Sequence, residues 1–170
     1  MNARIALGFA LAALAAALPA RAWVPNACDA VPKAQVESAT GLKVLKVAHV
    51  AIPKVAPHTK STCHFSMGTA DTGPKPRTIV QFTQRADPAA MAAWFDANVR
   101  GGSSGRRAEK VAGVGEEAYW IGEPLKQLFA RKGRYAVTVQ VIALATETDE
   151  LDQAKRVAAL ALPALEPKVP

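Results

Sequence analysis

Leu128-Phe129-Ala130-Arg131-Lys132-Gly133-Arg134-Tyr135-Ala136-Val137-Thr138-Val139-Gln140-Val141 decides the fold. From Tyr135 onward the residues alternate: Tyr135, Val137, Val139 and Val141 project one way, and Ala136, Thr138 and Gln140 the other. That period of two is a strand. Lys132-Gly133 just before it is a hairpin signal, so Leu128 to Arg131 reads as the preceding strand. One packed face and one wetter face mark an antiparallel sheet covered on a single side.

Upstream, Ala118 to Ile121 is a further short strand, and Gly113-Val114-Gly115 before it has the chemistry of a turn. Asp87-Pro88 is a helix start, a capping side chain followed by proline at the first helical position. Met91, Trp94, Phe95 and Val99 then recur at helical spacing, with Gly101-Gly102 as the stop. Thr78 to Thr83 and Ser61 to Met67 alternate as strands, the latter with Cys63, Phe65 and Met67 on one side. Leu42 to Ile52 is a third strand whose alternation slips once around Val44-Leu45. Pro32 to Thr40 is a short helix, with Val36 and Ala39 on one face and Gly41 at its end. Downstream, Glu147 to Leu162 is a helix begun near Thr146, acidic in its first turn and stopped by Pro163. The order α-βββ-α-βββ-α predicts an α+β fold: an antiparallel sheet of about six strands with its helices on one face, a two-layer sandwich.

The chain starts with a targeting pattern. Met1-Asn2-Ala3-Arg4 is a short positive segment, Ile5 to Leu18 is apolar, and Ala20-Arg21-Ala22 is a small-x-small cleavage site. Residues 1–22 are therefore expected to be a cleaved signal peptide, with the cut between Ala22 and Trp23 and residues 23–170 forming one domain in the periplasm or outside the cell. The apolar run is shorter than the ~20 residues of a spanning helix. Pro25 and Asn26 just before Cys28 also break the pattern that directs lipid attachment. An exported chain with only two cysteines, Cys28 and Cys63, is expected to join them as one disulfide.

The formal net charge is +7, with Arg4 and Arg21 of the leader supplying two of the positive charges. The remaining basic residues form loose groups at Arg100/Arg106/Arg107/Lys110 and Lys126/Arg131/Lys132/Arg134. Such a surface reads first as a solvated face that keeps the protein soluble; as a binding surface it suits an unidentified acidic protein or envelope component, and leaves contact with a membrane surface open. No nucleic-acid signature accompanies it.

The chemical motifs lack their contexts. Gly101-Gly102-Ser103-Ser104-Gly105 has the hydrolase string but follows a helix, and His49, His58 and His64 all precede the serine. Cys63-His64-x-x-Met67 contains soft metal ligands, but alternation puts Cys63 and His64 on opposite strand faces. Gly113-Val114-Gly115 lacks the third glycine of a dinucleotide site. Glu116 and Glu117 point apart on a strand and are expected in a solvated turn. Trp94 is expected in the core. Tyr119 and Trp120 are the aromatics to watch for a ligand groove. No catalytic residue, metal site or cofactor is assigned.

Cys28 before the Val36…Gly41 helix, Cys63 on a strand, Val111-Ala112-Gly113-Val114-Gly115-Glu116-Glu117-Ala118-Tyr119-Trp120, and Arg131-Lys132-Gly133-Arg134-Tyr135 leading into a valine-rich strand form a layout. It resembles families of small exported bacterial domains of unknown function, many of them lipoproteins, with an early cysteine paired to a mid-chain one. The resemblance implies an α+β fold and an exported address, and it brings no catalytic residues. This chain departs from the lipoprotein members in lacking an acylation signal. The expected function is non-enzymatic binding of a ligand or partner. The alternatives are an inhibitor or immunity protein against a hydrolase and, last, a metal carrier or enzyme.

Overall fold

The computed structural model describes residues 24–51, 59–68, 76–100, 107–142 and 146–165. The expected leader and the expected Ala22–Trp23 cut, His58 and the Gly101–Gly105 string lie outside the described residues. Elements run α1 (Ala27–Ala30), α2 (Lys33–Thr40), β1 (Val44–Ala51), β2 (Thr59–Met67), β3 (Arg77–Gln84) and α3 (Pro88–Phe95). A π-helical turn (Asp96–Arg100) follows, then β4 (Glu109–Val111), β5 (Glu117–Ile121), β6 (Gln127–Lys132), β7 (Tyr135–Ile142), α4 (Glu147–Ala161) and a 3-10 turn (Pro163–Leu165).

The strands form one antiparallel sheet in the order β1-β2-β3-β7-β6-β5-β4. Two meanders, β1–β3 and β4–β7, join where β3 pairs with β7, Val80 standing opposite Val139. The α+β class and the antiparallel sheet match the expectation from sequence, and the seventh strand is β4. Only three residues long, β4 shows no readable alternation.

Local chemistry accounts for the element boundaries. The Asp87 side chain accepts from the Ala90 amide at 2.7 Å and begins α3, while Thr146 accepts from the Asp149 amide at 3.1 Å and begins α4. Gly41, at φ +70°, ends α2. The slip around Val44-Leu45 is a β-bulge: the register of β1 on β2 shifts between Val44 and Lys46.

The main core lies on one face of the sheet. Cys63, Phe65 and Met67 of β2, Val80 and Phe82 of β3 and Val137, Val139 and Val141 of β7 are fully buried there. Val36 of α2 and Ala154, Val157, Ala158 and Ala161 of α4 pack over them. Burying each large side chain contributes roughly 1.5–3 kcal/mol. Near one end of the layer, α4 grips the C-terminus of α2. Gln153 donates to the Thr40 carbonyl at 3.0 Å, and Arg156 donates to the Ala39 carbonyl at 2.6 Å.

The helices do not all take one face, which corrects the two-layer expectation. Tyr119 and Phe129 alternate with the core residues Trp120 and Leu128, so they stand on the opposite face of β5 and β6. Phe95 and Val99, from α3 and the π-helical turn, close over them in a second, smaller cluster. Two large apolar side chains on the nominally wet face are enough to draw a helix onto it. Trp94 borders this second cluster, and the Arg85 guanidinium sits 4.7 Å from its ring centre.

Candidate functional site

The two edges of the sheet differ. β4 is short, and its Glu109 and Lys110 are exposed, which is how native edges avoid adding strands. β1 is eight residues long and, among the described residues, pairs only with β2. Along it Leu45, Val47 and Val50 are 40%, 39% and 44% exposed, the only large hydrophobics besides Leu160 to be so exposed among the described residues. Val47 stands opposite Phe65 and Val50 opposite Thr62, so exposed apolar groups occur on both faces of the strand. His49 lies in hydrogen-bond contact with the Ser61 hydroxyl at 3.2 Å, and that oxygen also accepts from the Ala27 amide at 2.9 Å. The strand is thereby tied to α1.

Charge follows the same division. β1, β2 and β3 bring Lys46, Lys60 and Arg77 to the sheet and contain no carboxylate. Between Glu37 and Asp87 the chain has Lys43, Lys46, Lys54, Lys60, Lys75, Arg77 and Arg85 against one acid, Asp71. Nearby Glu37 is already engaged by Lys33 at 3.7 Å and by the Val44 amide at 2.8 Å.

Of the basic residues singled out from sequence, Arg100, Lys126 and Arg131 are paired with carboxylates. Arg131 donates to Glu117 at 2.8 Å and to Glu116 at 3.2 Å. Arg100 donates to Glu117, as does the Tyr119 hydroxyl at 3.2 Å. Lys126 bridges Glu123 at 2.7 Å and the fully buried Glu150 at 3.0 Å. The expectation of a solvated Glu116-Glu117 turn is corrected at Glu117, whose side chain is 11% exposed between the two arginines.

Burial pushes the Glu117 carboxyl up, but hydrogen bonds from Arg131 and Arg100 outweigh it and hold the group below its ordinary value. A depressed carboxylate pKa adds stability above the unfolded value, and that stability is lost as pH falls through the folded one. Glu117→Gln is therefore expected to lower stability by about 1.5–3 kcal/mol at pH 7, the range for hydrogen bonds to charged groups. In urea melts across pH, the gap to the parent narrows once pH drops below the ordinary carboxylate range. A gap independent of pH contradicts this.

The structure separates the two aromatics picked out from sequence. Trp120 is 3% exposed and belongs to the main core, while Tyr119 is buried on the other face. Trp120 does border a cleft of about 470 Å³, together with Arg107, Glu109, Ile121, Glu123 and Thr148. Only a small part of the indole faces that cleft. His64 is half-buried opposite Ala48, on the strand face away from Cys63, and Cys63 is bonded to Cys28. Among the described residues, no three His, Cys, Asp or Glu side chains gather as a metal site would need. Nor is any helix there long and apolar enough to cross a membrane.

Sequence reasoning missed the β1–β3 surface. Its signal was present, as a long stretch nearly free of acids, but the cations are spaced widely enough to pass as scattered. Only pairing of the strands gathers them. No protein-family model matches the chain, and no curated protein matches it either.

Proposed function

We propose that this is a non-enzymatic binding domain of an exported protein, which docks an acidic partner protein on the β1–β3 side of its sheet. One observation carries the proposal: β1, β2 and β3 bring Lys46, Lys60 and Arg77 to the sheet with no carboxylate among them, and β1 also exposes Leu45, Val47 and Val50. Apolar groups set among like charges suit a polypeptide of opposite sign, since complementary charge steers encounter and buried apolar area holds the complex. The Cys28–Cys63 disulfide accords with an oxidising compartment.

Poly-L-glutamate serves as the probe. It is expected to bind the purified protein in a salt-dependent manner. Lys46→Glu combined with Lys60→Glu is expected to weaken binding by about fivefold or more, while Arg107→Glu with Lys110→Glu has a smaller effect. The reverse ranking overturns the proposal. So does reproducible turnover of ester, peptide or glycan substrates that a single side-chain change abolishes.

A further inference from the structure

We propose that β1 receives an added strand: an extended segment of the partner, in which β-branched residues alternate with carboxylates, pairs with its outer edge. This rests on the β1–β3 side being the docking surface, and it specifies how the partner is held.

Position comes first. β1 is terminal in the sheet, and its partners from Lys46 to Ala51 all lie on β2, so in the described sheet its other edge has no strand beside it. Backbone amides and carbonyls on such an edge form a template for another chain. Two devices that blunt edges are present, the charged Lys46 and one bulge, and neither lies within Val47 to Ala51. No proline interrupts Val44–Ala51, and the single bulge lies at its start, leaving Lys46 to Ala51 in regular register. The opposite edge, β4, is short and charged.

Side chains define the occupant. Val47 and Val50 expose apolar surface on opposite faces, which β-branched residues of an added strand would cover. Lys46 is exposed on the strand itself, while Lys60 and Arg77 lie on the strands behind it. Carboxylates on the incoming strand answer those charges. A second copy of this chain would bring its own Lys46 and no acid, so like charges oppose that occupant.

The probe is a ten-residue peptide alternating valine with glutamate, added to the full protein and followed by amide NMR. Saturable binding is expected, with shifts and exchange protection concentrated in residues 45–51. Methylating alternate peptide nitrogens removes ladder donors while keeping charge and side chains, and should weaken binding about tenfold or more. Val47→Ser with Val50→Ser weakens it too, and a lysine-for-glutamate peptide does not bind. Strand addition is overturned if the peptide stays unbound at millimolar concentration or if its methylated form binds equally well. It is also overturned if sedimentation shows a dimer that the two serine changes abolish, because a second copy then holds the edge. If methylation has no effect while Lys46→Glu with Lys60→Glu still weakens poly-L-glutamate binding, strand addition alone falls. If that pair of changes is silent as well, the docking surface falls with it.

Discussion

Replacing Cys28 and Cys63 together by alanine is expected to lower stability by about 3–4 kcal/mol, the chain-entropy value for a loop of this size. The bond spans a sequence separation of 35 and joins α1 to the middle of β2. At four residues, α1 is far too short to persist alone. Besides the bond, the Ala27 amide donating to Ser61 at 2.9 Å and the burial of Ala27 and Val31 in the main core hold it in place, and the Asn26 side chain caps it by accepting from the Cys28 amide at 2.9 Å. Without the sulfur link one hydrogen bond and two small buried side chains must order the segment. A lower urea midpoint and faster exchange at α1 amides check the prediction. An unchanged midpoint refutes it.

Gly115→Ala is expected to cost about 3 kcal/mol, from a left-handed backbone and a steric clash together. Gly115 has φ +64°, and a Cβ there would lie 2.5 Å from the Arg131 carbonyl oxygen and 3.2 Å from a Leu162 methyl carbon. Relief by backbone movement would disturb the neighbouring Glu116 amide, which donates to that same carbonyl at 2.9 Å. Gly113, two residues earlier, provides the control. Its φ is +80° but a Cβ would meet nothing within 4 Å, so Gly113→Ala carries only the conformational cost of about 1–2 kcal/mol. Equal losses in thermal or urea unfolding would dismiss the clash.

Much of the fold was legible because its signals are local. Asp87 and Thr146 cap the helices they were expected to cap, Gly41 ends its helix, and a break in alternation at Val44-Leu45 became a bulge. β4 escaped because three residues cannot display a period. The face taken by α3 escaped because Tyr119 and Phe129 are separate aromatics in sequence and become one patch only when β5 lies against β6. Glu117 looked solvated because its partners, Arg100 and Arg131, are far along the chain in opposite directions. Tyr119 and Trp120 are adjacent in sequence, yet neighbours on a strand face apart and they enter different clusters.

The sequence by itself determined the class of fold, the starts of α3 and α4, the end of α2, the alternation of the longer strands and the pairing of the only two cysteines. All of these follow from backbone periodicity, capping chemistry and composition within short windows. Tertiary structure alone decided that β3 joins β7, that β1 stands at one end of the described sheet, and that Lys46, Lys60 and Arg77 come onto neighbouring strands that contain no carboxylate. The physical reason is that alternation specifies which way a side chain points but not which strand lies beside it. That choice belongs to contacts such as Val80 with Val139 or Gln153 with Thr40, made between residues remote in the chain.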